Sequence, residues 1–305
     1  MDRGRSGHRN HGSRPRLQPD RRRVARLARS TRKGAAPLTP LLDVDRVTAS
    51  YNGSPVVHGV SLRLERGDVL GLVGESGSGK TTLGRCVLGL LPENARVEGR
   101  ILFEGRDLVA MPANEKRALL GSQLSAVFQN PMSSLDPAFT IGDQIVEVFH
   151  AHRDTARGEA RTAAIRLLRE VGIPAPEARL KSYPHELSGG MNQRVAIAIA
   201  LALNPALLIA DEPTSALDVT VQAQILRLLR SLIEEHAGAV LLITHDLGVV
   251  AQLCNRVAVM YAGEIVEEAP VRRLFAEPAH EYTKQLLASL PGRARRRRPD
   301  AAAEA

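Results

Sequence analysis

Tryptophan is absent from these 305 residues, and aromatic side chains together make up only 3%, so Leu, Val, Ile and Ala must build whatever core forms. Cysteine is nearly absent too. Cys86 and Cys254 stand in no metal-ligand spacing, which points to a reduced compartment and two small buried hydrophobes. Long apolar runs are missing: the longest, residues 195–203, is nine residues, far short of the ~20 that cross a bilayer as a helix. No apolar stretch of roughly 7–15 residues follows the basic N-terminus, so no secretory leader is expected and the chain reads as soluble and cytoplasmic. What it does have is length enough for a substantial core, in one large domain or two closely packed parts.

The net charge is +8, and its location decides its meaning. Residues 1–40 carry twelve Arg and Lys against two Asp, and residues 291–305 carry five Arg against two acids. The two ends therefore hold +13, which leaves residues 41–290 at −5. A mildly acidic body argues against a nucleic-acid groove across it. Residues 1–40, rich in Arg, Gly, Ser and Pro, read as a disordered basic tail, and residues 291–305 as a disordered Arg-rich one. Within the first, residues 21–29 have the pattern of a short basic amphipathic helix; the plainer reading is a solvated tail.

Gly74-Glu75-Ser76-Gly77-Ser78-Gly79-Lys80-Thr81-Thr82 matches G-x-x-x-x-G-K-S/T, the phosphate-binding loop of nucleotide triphosphatases. An apolar run of strand length precedes it at residues 68–73. Leu83, Val87, Leu88 and Leu91 follow it at helical spacing. The glycines free the backbone so that successive N–H groups converge on one anion, and the helix N-terminus adds unpaired donors. Lys80 is placed to reach the β- and γ-phosphates, and the Thr81 hydroxyl to bind Mg²⁺.

From Leu41 the composition changes. Residues 42–47 and 60–65 alternate like half-buried strands, Tyr51-Asn52-Gly53 reads as a turn, and residues 99–105 as a strand closed by glycines. Residues 124–129 form another strand, ended by Asn130-Pro131. Residues 139 to about 187 lose strand signals and carry helical stripes such as Ala164, Leu167, Leu168 and Val171. Ser188 then caps a helix through Leu203. Strands follow at residues 206–211, 239–244 and 256–260, with helices between them, one marked by Val221, Ile225, Leu228, Leu229 and Leu232. This alternation predicts parallel α/β architecture with active groups at the strands' carboxyl ends. Gln129, Asp211, His245 and the phosphate loop all fall there.

Leu187-Ser188-Gly189-Gly190-Met191-Asn192-Gln193-Arg194 resembles the signature motif of ATP-binding cassette (ABC) ATPases, and the family's other motifs stand in order. Tyr51 resembles the A-loop aromatic that stacks on adenine. Residues 74–81 resemble Walker A, Gln129 the Q-loop, and residues 207–211 Walker B, followed by Glu212. Ser215-Ala216-Leu217-Asp218 resembles the D-loop and His245 the switch histidine. The resemblance covers about residues 41–290. Residues 128–137, 216–225 and His280-Glu281-Tyr282-Thr283 are similar to segments of peptide and nickel importer ATPases, with Glu281 where their His-Pro-Tyr-Thr element has Pro.

The resemblance implies a P-loop NTPase core of the ABC type within residues 41–290, with an antiparallel β subdomain and an α-helical subdomain inserted at about 139–203. ATP would be held by Tyr51, Gly74, Glu75, Ser76, Gly77, Ser78, Gly79, Lys80, Thr81 and Thr82, and from an opposing subunit by Ser188, Gly189 and Gly190. Mg²⁺ would be held by Thr81, Gln129 and Asp211. Glu212 is the candidate base, His245 orients it, and Gln129 assists. No iron–sulfur cluster is expected, because the C-terminal cysteines of some members have no counterpart here.

Implied partners are a second ABC ATPase, identical or different, two transmembrane permease subunits and, indirectly, an extracytoplasmic solute-binding protein, with no nucleic acid. The implied place is the cytoplasmic face of the membrane, energising peptide uptake; the alternatives are nickel or another small solute as cargo, or a soluble non-transport ABC ATPase.

Overall fold

A computed structural model describes residues 39–215 and 217–290. The expected tails (Thr39 and Pro40 excepted), with residues 21–29, and Ala216 of the D-loop segment lie outside the described residues. The alternation that opens the body becomes β1 (Leu42–Tyr51), which buries Leu42, Val44, Val47 and Ala49. Asn52 and Gly53, with φ of 49° and 82°, then reverse the chain into β2 (Ser54–Leu64). Two left-handed residues between paired Tyr51 and Ser54 form the turn whose twist matches a hairpin. With β4 (Ala95–Phe103) and β5 (Arg106–Asp107) these strands form an antiparallel sheet in the order β2-β1-β4-β5.

The second sheet runs β10-β9-β3-β8-β7-β6. Its β3 (Val69–Val73), β6 (Leu124–Val127), β7 (Leu207–Asp211), β8 (Ala239–Thr244) and β9 (Arg256–Tyr261) are parallel, and β10 (Glu264–Pro270) is an antiparallel edge. The described helices are, in chain order, α1 (Lys80–Leu88), α2 (Ala113–Leu119), α3 (Pro131–Ser134), α4 (Ile141–His152), α5 (Arg157–Glu170), α6 (Pro176–Arg179) and α7 (Gly189–Leu201). After them come α8 (Val219–His236), α9 (Leu247–Leu253), α10 (Val271–Ala276) and α11 (Glu281–Ala288).

Because side chains of a strand alternate, β7 and β8 divide the core. Leu207, Ile209, Leu241 and Ile243 pack with α1 and the antiparallel sheet. Leu208, Ala210, Val240 and Leu242 face the other way, into a core with Ile145, Leu168, Ile197 and Ile225 of α4, α5, α7 and α8. Each such Leu, Ile or Val side chain contributes about 1.5–3 kcal/mol on burial. A third cluster joins Val73, Val257 and Val259 to Val250, Leu274, Tyr282 and Leu287. Cys86 and Cys254 pack as hydrophobes, and burial pushes both thiols up to about 12.

Several boundaries differ from the sequence pattern. Helix α1 stops at Leu88, because Gly89 takes φ 65° and turns the chain, so Leu91 lies beyond it. Helix α7 stops at Leu201, and Asn204 takes φ 54° three residues on. Strand β6 ends at Val127, two residues before Gln129. Periodicity had marked no element in β10, α10 or α11.

Candidate functional site

The phosphate loop leaves the carboxyl end of β3, which lies between β8 and β9. Two glycines are required there by contact. A Cβ on Gly74 would stand 2.1 Å from the Met260 carbonyl oxygen, and one on Gly79, at φ 101°, 2.9 Å from the Val56 oxygen. Gly79 is also the residue from which α1 begins, so the free N–H groups of that helix open onto the loop. Lys80 is buried, and its ammonium donates to Gly74 O (2.8 Å), Glu75 O (2.7 Å) and Ser78 Oγ (3.2 Å). Burial pulls its pKa below the usual lysine range, against the opposing pull of Glu212, Asp211 and Glu75.

Next to the loop, the carboxyl ends of β8, β7 and β6 supply four further groups. Thr81 Oγ1, on the first turn of α1, donates to Asp211 Oδ1 at 3.1 Å. Burial raises the Asp211 carboxyl above its ordinary value, the Thr81 hydrogen bond opposing it. Glu212, the next residue, takes φ 46°, a conformation unusual for a residue with a Cβ, and its N–H is held by Ile243 O at 2.8 Å. That kink aims its carboxylate at two partners: His245 Nδ1 lies 2.8 Å from Oε1, and Gln129 Nε2 donates to Oε2 at 3.3 Å.

The loop, Gln129, Glu212 and His245 line one cavity of about 590 Å³, and Asp211, which is not among its lining residues, adjoins it through Thr81. The structure thus brings together residues 74–82, Gln129, Asp211, Glu212 and His245. Tyr51, at the end of β1, is not among the described residues that line this cavity, whereas Val56 and Leu286 are. Ser188, Gly189 and Gly190 are not among them either. They form the start of α7, where Ser188 Oγ accepts from Met191 N–H at 3.3 Å.

Sequence reasoning missed Val56, Leu286 and Tyr282, whose hydroxyl accepts from the Glu75 N–H at 3.0 Å. No local pattern carries that signal, since the two are 207 residues apart. Among the described residues no group of three or more His, Cys, Asp or Glu side chains could hold a metal alone, and no helix is long and apolar enough to cross a membrane.

A family model described as ABC transporter matches residues 57–215. The oligopeptide transport ATP-binding protein OppD of Bacillus subtilis is 48% identical over 260 residues, covering 83% of this chain and 73% of that protein. The dipeptide transport ATP-binding protein DppD of Haemophilus influenzae is 46% identical over 256 residues, covering 82% and 78%. Among solved structures, the post-hydrolysis dimer of the ATP-binding cassette MJ0796 bound to ADP and Pi aligns with a TM-score of 0.67 and 29% identity, over 76% of this chain and 99% of that one.

Proposed function

Because the chain belongs to the ABC transporter family of ATPases, we propose that it is the ATP-hydrolysing subunit of an importer that energises peptide uptake across the cytoplasmic membrane. The observation that carries this is the Glu212 carboxylate, gripped by His245 and Gln129 at the wall of the phosphate-loop cavity. Relatives named for oligopeptide and dipeptide transport support peptides as the cargo over nickel.

Phosphoryl transfer to water needs positioning and charge neutralisation more than covalent help. The N–H groups of residues 77–82 and the Lys80 ammonium cradle the phosphates. Thr81 and Asp211 offer hard oxygens 3.1 Å apart, a donor pair that fits Mg²⁺ once phosphate oxygens complete its shell, with Gln129 as a further contact. Bound there, Mg²⁺ would offset the charge that develops on the phosphates. Glu212 polarises the attacking water; such a base contributes about 10²–10⁴-fold. His245 and Gln129 fix the direction of that carboxylate. Tyr51 is proposed as the adenine contact on resemblance alone.

Cassettes of this family pair and work with transmembrane permease subunits. Ser188, Gly189 and Gly190, which lie off their own chain's cavity, act in this reading on ATP held by an opposing cassette. The region of α4 to α7 and the Gln129 loop face the permeases at the cytoplasmic surface. ATP binds the closed pair more tightly than the open one, and that difference drives the membrane subunits.

Glu212→Gln is the test. ATP turnover should fall roughly 100- to 10,000-fold while ATP binding persists; near-normal turnover would sink the assignment. Cells carrying the variant should fail to take up a labelled dipeptide yet keep nickel uptake, and the reverse result makes nickel the cargo.

A further inference from the structure

The phosphate loop is braced from the far end of the chain. Tyr282, on the first turn of α11, is almost completely buried, and its ring lies against Tyr261 with centroids 4.3 Å apart. Its hydroxyl accepts the Glu75 N–H at 3.0 Å. That N–H belongs to the same rigid peptide plane as the Gly74 carbonyl, whose oxygen accepts from Lys80 Nζ at 2.8 Å on the opposite side. One flat unit therefore links the Tyr282 hydroxyl to the lysine that meets phosphate. Without the hydroxyl, the plane keeps only the Lys80 bond, and the glycine on one side gives it wide freedom to tilt.

The tyrosine is itself held. Glu267 Oε1 and Oε2 accept from the Ala279 and His280 N–H groups, both at 2.9 Å, and His280 Nδ1 accepts from the Tyr282 N–H at 3.2 Å. Leu286, one turn further along α11, reaches the nucleotide cavity. On the other flank of the loop, Gly263 N–H donates to Ser78 O at 3.1 Å.

We propose that Tyr282 is a positioning residue for ATP binding, which orients the Gly74–Glu75 peptide and through it Lys80. This rests on the phosphate loop being the ATP site. It makes α11 part of the nucleotide-binding machinery, where the motif carried no role.

The test is Tyr282→Phe, which keeps the ring on Tyr261 and removes only the acceptor. In the full chain, anisotropy of the fluorescent analogue MANT-ATP should show binding weakened about three- to ten-fold, the range one hydrogen bond supports. In the assembled transporter the KM for ATP should rise by a similar factor with kcat within about two-fold, a split that simple loss of folded protein does not produce. A wild-type chain that fails to bind the analogue sinks the ATP reading and this inference with it. A wild-type chain that binds, beside a Phe variant of equal affinity and KM, overturns this inference alone, whether or not the variant melts earlier.

Discussion

At the scale of single residues, Glu212 combines its proposed catalytic role with an awkward backbone. A residue with a Cβ at φ 46° stores about 1–2 kcal/mol, and the surroundings hold it there. Its N–H is bonded to Ile243 O, and its own carbonyl accepts from the Ser215 N–H at 3.2 Å and the Ser215 hydroxyl at 3.1 Å. The strain turns the carboxylate toward Gln129 and His245. It follows that Glu212→Gly should unfold about 2–4 °C higher than Glu212→Gln, though both lack turnover; calorimetry that ranks them the other way removes the strain argument. Glu212 was legible in the sequence because two acids after an apolar strand form a motif. Its conformation was not, since left-handed backbone at a non-glycine residue is imposed by tertiary contacts. Val56 was illegible for a like reason: a valine in an alternating strand carries no sign that its strand passes the nucleotide.

At the scale of elements, the contrast lies between β7 or β8 and the stretch after β9. The first two are continuous apolar runs with punctuation at both ends, so composition alone identifies them. Strand β10 is an edge of mixed exposure, Glu264-Ile265-Val266-Glu267-Glu268-Ala269-Pro270, whose pattern matches neither period. Its value lies in one side chain, Glu267, which ties β10 to the start of α11. Burial by itself would raise that carboxyl, but the N–H donors of Ala279 and His280 hold it below the usual glutamate range. A carboxyl with a lowered folded pKa contributes stability above its unfolded value, ~4.3, and the contribution disappears as pH falls through the folded value. Glu267→Gln should therefore be less stable than the parent by about 1–2 kcal/mol near neutrality, and the gap should close below about pH 4. Urea unfolding at both pH values measures it. A gap that stays constant with pH means the clamp owes nothing to the charge.

At the scale of the whole molecule, one set of candidate site residues gathers at a single cavity, while a second, Ser188 to Gly190, starts α7 away from it. The loop, Gln129, Glu212 and His245 meet around one cavity, with Asp211 joined to it through Thr81, at the carboxyl ends of β6, β7 and β8. Ser188, Gly189 and Gly190 do not, and only resemblance assigns them to an opposing subunit, since contacts between chains leave no periodicity in one chain's sequence. Gly189 lets the two roles be separated. A Cβ there would meet nothing within 4 Å, its φ is not positive, and alanine suits the first turn of a helix better than glycine does. If the residue serves only α7, Gly189→Ala is harmless or mildly stabilising. If its backbone presses on ATP bound to an opposing cassette, the added methyl intrudes only when the two close. The expectation is a melting temperature equal to or above that of the parent, unaltered MANT-ATP binding to the isolated chain, and loss of the ATP-dependent dimer when both are placed in the Glu212→Gln background and followed by light scattering. A Gly189→Ala chain that still dimerises with ATP would show that the opposing face lies elsewhere.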